Sequence, residues 1–329
     1  MRKLVCILLI ISVLIVSVIG FVFAEKSPSD LHVALLVKNL VDPFFVYMKY
    51  GGQAAANKYG VQFTCLVPEK SGDVEAQIRI MEDLIQKGVD AIVLVPVDSR
   101  GIVSGIESAN KAGVPIFVAN TRALGGEFMT FAGIDHTAMA RAMGKYVVEK
   151  LGGKGKIIQL EGKTGAQSSI NRSIGFKEVF SNEAGIEILA ITPADYDKAK
   201  AMAVMEDLLV RFPNIDAVIG YDDGTALGAI EAIKMAGRLD EILVTGTDAI
   251  KEALASIQDG ELTATVDGDP FNQAFVPVEA AIQYLLYGKV PPKEIIIGGG
   301  SPTIIDKNNV NEFLAEFEAR LKKYNVKID

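Results

Sequence analysis

The chain has 329 residues, a net charge of −8 and 50% hydrophobic residues, with two His, two Cys and no Trp. At roughly 150 residues per domain, that length gives one large or two ordinary domains, enough to bury a core without disulfides or metals. A charged fraction of 22% excludes a disordered chain. The acidic balance argues against a nucleic-acid surface, and so few His and Cys argue against a multi-ligand zinc site. No cofactor or metal is expected.

The first 24 residues stand apart from the rest. Arg2 and Lys3 open the chain, and Leu4 to Ile19 is apolar apart from Ser12 and Ser17. Val22-Phe23-Ala24 then places small residues at −3 and −1 of a cut before Glu25. This layout predicts a secretory signal peptide over 1–24, cleaved near Ala24/Glu25, and a periplasmic protein. The apolar run is also long enough for an uncleaved anchor, but the small-residue site favours cleavage. No Cys lies at the cut, so a lipid-anchored N-terminus is not expected. Cleavage removes two basic residues and no acidic one, taking the charge from −8 to −10. The one cysteine left, Cys65, predicts no internal disulfide and a small core side chain.

From residue 30 onward, short runs rich in Val and Ile alternate with segments of helical period. The runs fall at 32–37, 61–67, 91–96, 115–120, 156–160, 187–191, 217–221 and 242–245. They are apolar on consecutive residues, as strands covered on both faces should be. Between them, Ile78, Met81, Leu84 and Ile85 share one helix face, as do Ala201, Met202, Met205 and Leu208. Gly60, Gly88, Gly113 and Gly237 stand where helices should stop. The pattern predicts parallel sheets with helices on both faces. It also repeats: Asp90 to Asp98 leads to Asn110-Lys-Ala-Gly113, and Asp216 to Asp222 leads to Lys234-Met-Ala-Gly237. Two similar α/β domains, about 31–134 and 135–267, follow from the repeat.

Several chemistries are missing. The turn after the first strand, Lys38 to Phe45, holds no Gly, so no G-x-G-x-x-G admits a pyrophosphate. Neither a G-x-x-x-x-G-K-[ST] cradle nor a G-x-S-x-G elbow occurs. With no nucleophile motif to serve, His32 and His136 read as structural. Asp267-Gly-Asp269 lacks the remaining ligand positions of a calcium loop.

What remains is polar and aromatic residues at the C-terminal ends of predicted strands, where open α/β sheets bind ligands. Lys38, Asp42, Phe44 and Phe45 follow the first strand, and Asn120, Thr121 and Arg122 the fourth. Arg172, Tyr196, Asp222, Asp223 and Asp248 come from the second half, with Asp267 and Asp269 at a crossover. Aromatic faces among carboxylates and amides suit a polyhydroxylated ring, which stacks by its C–H faces and pairs its hydroxyls. Asp223 reads equally well as a helix cap.

These residues resemble the periplasmic sugar-binding proteins of ABC importers, the ribose- and galactose-type branch with the type I periplasmic binding fold. The likeness spans about 31–306. It is carried by Asp42-Pro-Phe-Phe45, Val97-Asp-Ser99, Arg172-Ser-Ile-Gly-Phe176 and Pro193-Ala-Asp-Tyr-Asp197. Asp222-Asp-Gly-Thr-Ala-Leu-Gly228, Thr245-Gly-Thr-Asp248 and Asp269-Pro-Phe271 complete it. The resemblance implies two doubly wound parallel-sheet lobes joined by three crossovers, with the ligand between them. The lobes would be 31–134 plus 269–298 and 135–267 plus 299–306, followed by a C-terminal helix over 307–329. That last segment is amphipathic, with Val310, Phe313, Leu314, Phe317 and Leu321 apolar. The resemblance further implies a polar residue and two stacking rings at Asp42, Phe44 and Phe45. It implies hydrogen bonds from Arg172 and to Asp222 and Asp248, and an aromatic at Tyr196.

There are departures from the ribose-type pattern. The Asp-Arg pair after the fourth strand falls on Asn120-Thr121, with Arg122 one place later. An aromatic is replaced by Thr247, the Gln of the last crossover aligns with Gly268, and Lys38 replaces a small polar residue. They favour a pyranose or a cyclitol such as inositol over ribose. The implied partners are a small neutral sugar or cyclitol and a membrane ABC permease, with the chain itself a monomer and not an enzyme. A chemoreceptor or quorum-signal module of the same fold is the alternative. A sugar-responsive repressor would need a basic helix-turn-helix where the export signal stands.

Overall fold

Valine, isoleucine and leucine on consecutive residues make strands that can be covered on both faces, and the two sheets are built that way. The computed structural model describes residues 26–70, 72–300 and 302–323; the predicted signal peptide lies outside them. The first sheet holds β1 (His32–Leu36), β2 (Gln62–Leu66), β3 (Ala91–Leu94), β4 (Ile116–Ala119), β5 (Phe131–Gly133) and β11 (Glu294–Ile296). Their order is β2-β1-β3-β4-β5-β11, parallel throughout. The second sheet holds β6 (Gly155–Glu161), β7 (Ile186–Pro193), β8 (Ala217–Gly220), β9 (Leu243–Thr245), β10 (Ala264–Val266) and β12 (Ile304–Asp306). Its order is β7-β6-β8-β9-β10-β12, parallel except for the antiparallel β10–β12 pair.

The helices are α1 (Pro43–Tyr59), α2 (Val74–Gln86), α3 (Val103–Lys111), α4 (His136–Lys150), α5 (Gln167–Phe180), α6 (Lys198–Arg211), α7 (Asp223–Met235), α8 (Lys251–Asp259), α9 (Pro270–Tyr287) and α10 (Val310–Lys323). The central strands β1, β3, β4 and β8 are buried almost throughout. The edge strands differ from the sequence expectation. No residue of β2 or β7 is fully buried, and half of β7 is exposed, because an edge strand has a neighbour on one side only. Cys65, on β2, is therefore half-buried beside the core, and burial pushes its thiol up to about 12.

Aspartates open many of the helices. Asp42, Asp73, Asp135, Asp197 and Asp222 each accept a backbone N–H in the first turn, satisfying donors that have no helical partner. The longest helices, α1 and α9, cross with their backbones in contact. A Cβ on Gly51 would stand 2.0 Å from the Phe271 carbonyl oxygen, so only glycine fits.

The chain passes between the sheets around Ile134-Asp135, around Asp267 to Asp269, and between β11 and β12. After the last passage α10 lies along the second lobe, where Asn311 accepts from Gln258 at 2.7 Å. It also reaches the first lobe. The Phe317 ring meets Tyr47 of α1 edge-on at 5.3 Å, and Arg320 pairs with Asp269 at 2.6 Å.

Candidate functional site

The loops at the C-terminal ends of β1, β3 and β4 face those of β6, β7, β8 and β9 across a cleft. The cleft measures about 590 Å³, open space included. From the first lobe it is bordered by Lys38, Asn39, Asp42, Phe44, Phe45, Gly72, Val97 and Asn120. From the second come His136, Lys163, Ser168, Arg172, Asp195, Tyr196, Asp222 and Asp248.

Phe44 and Phe45 sit in the first turn of α1, fixed by Pro43 and the Asp42 cap. Their rings meet edge-to-face at 5.3 Å. Both border the cavity and both are buried in the core, at 3% and 7% exposed. Lys38 Nζ donates to Thr121 Oγ1 at 2.9 Å and lies 5.9 Å from the ring centres of Phe45 and Tyr196. Burial, and then the Arg172 charge, bring this ammonium down to about 8. Burial and the neighbouring Asp222 push Asp42 the other way, to about 7.

Asn120 is a node. Its backbone is left-handed, at φ 58°. Thr121 donates to its Oδ1 at 2.9 Å, and its Nδ2 donates to Gln273 Oε1 at 3.0 Å. Gln273 in turn donates to the Gly268 carbonyl at 2.5 Å. A single chain of hydrogen bonds thus runs from the Lys38 ammonium to the Asp267–Asp269 crossover.

On the second lobe, Arg172 is 4% exposed. Its Nη2 donates to Asp248 Oδ1 at 3.1 Å, its Nη1 donates to the Tyr221 carbonyl, and Tyr196 covers it at 5.8 Å. Burial drives the Asp248 carboxyl upward, and the adjacent guanidinium opposes it. The guanidinium keeps its proton, and the pair is buried on both sides. Asp222 caps α7 through Thr225 N–H at 2.8 Å and presents its carboxylate to the cavity. Tyr196 can lie flat over the site because residue 162 is Gly; a Cβ there would meet the phenol ring at 1.9 Å.

Nine of the residues expected from the sequence therefore border one cavity: Lys38, Asp42, Phe44, Phe45, Asn120, Arg172, Tyr196, Asp222 and Asp248. Asp267 and Asp269 do not. Asp267 accepts the Asp269 N–H at 2.7 Å, and Asp269 caps α9 and pairs with Arg320. With Asp135 and Thr303 they border a separate hollow of about 480 Å³, open space included. Arg122 also turns away, pairing with Glu294 over the Phe131 ring. Asp223 neither caps α7 nor reaches the cavity; it ties loops together by accepting from Ile250 N–H at 3.0 Å and Thr265 Oγ1 at 2.6 Å.

Sequence reasoning did not assign Asn39, Gly72, Val97, His136, Lys163, Ser168 or Asp195 to the site, although Val97 and Asp195 lie in motifs that carry the resemblance. Lys163 and Ser168 follow β6, so the strand-end rule already pointed to that loop. His136 was read as structural because no catalytic partner called for it. The lobes touch at the rim of the cavity. Lys163 Nζ donates to the Gly72 carbonyl at 3.0 Å, Gln167 N–H to Ser99 Oγ at 3.2 Å, and Thr121 meets Ser168 at 3.4 Å.

Residues 33–289 match the family described as periplasmic binding protein domain. The chain belongs to that family. The ribose import binding protein of Bacillus subtilis is 36% identical over 82% of this chain and 86% of its own length. The D-allose-binding periplasmic protein of Escherichia coli is 30% identical over 84% and 91%. Among solved structures, an ABC transporter solute-binding protein of Bacillus halodurans with bound myo-inositol superposes with a TM-score of 0.81. It is 29% identical, over 89% of this chain and all of that one. In this periplasmic binding protein the two α/β lobes and the cleft residues come from distant parts of the sequence, and the sheet ends bring them together.

Proposed function

We propose that this chain is an extracytoplasmic solute-binding protein that captures a monosaccharide or cyclitol in the cleft and delivers it to an ABC permease. A pyranose or inositol suits the cleft better than ribose. The observation that carries the reading is the composition of the cavity wall. Flat rings at Phe44, Phe45 and Tyr196 stand among donors at Lys38 and Arg172 and acceptors at Asp42, Asp222 and Asp248. A polyol needs both kinds of surface, since its C–H faces stack while each hydroxyl donates and accepts. The nine cavity residues expected from the sequence are assigned as ligand contacts.

A ligand touching both lobes stabilises the closed cleft by its differential affinity for that state. The lobes are taken as 31–134 plus 269–298 and 135–267 plus 299–306, bounds supported by the separate sheets of β11 and β12. The protein is taken to act as a monomer, exported by a signal peptide cut near Ala24. A thermal-shift screen against pentoses, hexoses and cyclitols tests the reading. A true ligand at about 100 times its Kd adds about 2.7 kcal/mol of stability. No shift with any of them refutes it. Intact mass of the exported protein tests the cut, with retention of residues 1–24 counting against cleavage.

A further inference from the structure

We propose that His136 is a ligand contact, accepting a hydrogen bond from a ligand hydroxyl at Nδ1. The inference rests on the polyol-binding reading above and adds a residue that the sequence placed in the scaffold. His136 is the first residue of α4, is 4% exposed, and borders the cleft cavity beside Asn120 and Ser168. Its Nε2 lies 3.1 Å from the Asn120 carbonyl oxygen. A carbonyl only accepts, so Nε2 carries the hydrogen, and in the neutral ring Nδ1 is a bare lone pair. Burial, followed by the nearby Arg172 charge, holds the imidazole neutral, its pKa brought down to about 3.

Nδ1 has no hydrogen-bond partner among the described residues. Buried polar atoms in folded proteins are almost always paired, so an orphan on a residue that borders the cavity marks a place for something the cavity takes up. Arg172 Nε, on the same lobe, is a second orphan. One of these atoms accepts and the other donates. A hydroxyl both donates and accepts, so a polyol can supply the complement of each. His136 therefore selects for a ligand with a hydroxyl toward α4 and against the corresponding deoxy compound.

Two substitutions separate this role from a scaffold role. His136→Gln places a donor near the Nε2 position and keeps the bond to Asn120, but has no acceptor at Nδ1. His136→Asn places an oxygen near the Nδ1 position and gives up the bond to Asn120. Titration calorimetry uses whichever of myo-inositol, D-allose or the other screened sugars binds the wild type most tightly. His136→Gln should keep the unliganded melting temperature and lose affinity by on the order of tenfold to a hundredfold. His136→Asn should bind within a few-fold of wild type while melting lower. Wild-type affinity in His136→Gln, or equal losses in both variants, overturns the assignment and leaves the polyol reading standing. If no screened sugar binds the wild type, that reading falls and takes the assignment with it. A measurement on wild-type protein guards against misfolded variants. The ¹⁵N resonance of the His136 Nδ1 should move from that of a bare nitrogen toward that of a hydrogen-bonded one on adding ligand, and an unmoved resonance overturns the assignment.

Discussion

Lys163 of the second lobe donates to the main-chain carbonyl of Gly72 in the first, 3.0 Å away at the rim of the cleft. The bond can exist only while the lobes are together, so it stabilises the closed state alone. Lys163→Ala should therefore speed ligand release with little change in association rate. A hydrogen bond to a charged group contributes about 1.5–3 kcal/mol, or a rise in off-rate of roughly tenfold to a hundredfold. Stopped-flow measurement of both rates checks this; a slower association with unchanged release would mean that Lys163 acts before closure.

Arg172 ties the second lobe's wall together as well as facing the cavity. Removing it strands Asp248 and the Tyr221 carbonyl, both its partners. A wet, open cleft would leave such a change without effect on the unliganded protein. The burial of the pair says otherwise, and breaking a buried ion pair costs about 3–5 kcal/mol. Arg172→Ala should lower both affinity and unliganded stability, as read by calorimetry and by denaturant titration. Affinity loss with full stability would show that the pair is solvated in the free protein.

Phe45 offers a way to separate packing from stacking. Its ring is buried in the core and borders the cavity. Phe45→Ala should cost about 3–5 kcal/mol of stability, as large buried rings do. Phe45→Leu keeps apolar volume but removes the flat face and the contact with the Lys38 ammonium. It should lower affinity by more than it lowers the melting temperature. The reverse order would make Phe45 a core residue only.

Asp42 gives the unliganded protein a pH dependence of definite sign. Its carboxyl is held up to about 7 by burial and by Asp222, whereas in the unfolded chain it titrates near 3.9. The folded state thus binds the proton more tightly, and this contribution is full below the unfolded value. It is lost as pH rises toward 7. Asp223, also pushed up to about 7, and Asp267, to about 6, act in the same sense. Asp42→Asn keeps a side-chain oxygen to cap Phe44 N–H and removes the titration. Melting temperatures between pH 4 and 8 should fall less steeply in this variant than in wild type. Identical slopes would show that Asp42 is solvated in the free protein.

Periodicity made the central strands and many of the helices legible, because burial on both faces leaves an unbroken apolar run. Of the three-residue strands, β9 lies in an apolar run that the sequence shows, whereas β5, β10, β11 and β12 are defined by their partners. Strand ends located most of the nine cavity residues, and the resemblance motif supplied Arg172, which lies in the second turn of α5. The same rule could not tell a cavity aspartate from a cap, because both follow a strand and precede a helix. Asp222 is both, whereas Asp269 is a cap that turns toward Arg320, a residue 51 positions away. His136 was invisible for a different reason: its role follows from which ring nitrogen Asn120 engages, and no sequence pattern carries a tautomer.

The contact of α10 with α1 has a bearing on how the protein can be shortened. Both sheets are complete at Asp306, so a chain ending there would retain its topology. It would also uncover the apolar surface on which Phe313, Leu314 and Phe317 rest, including the Tyr47 ring that Phe317 meets. Exposed apolar patches promote self-association. The loss would appear first as poor solubility, in a protein whose secondary structure is otherwise intact.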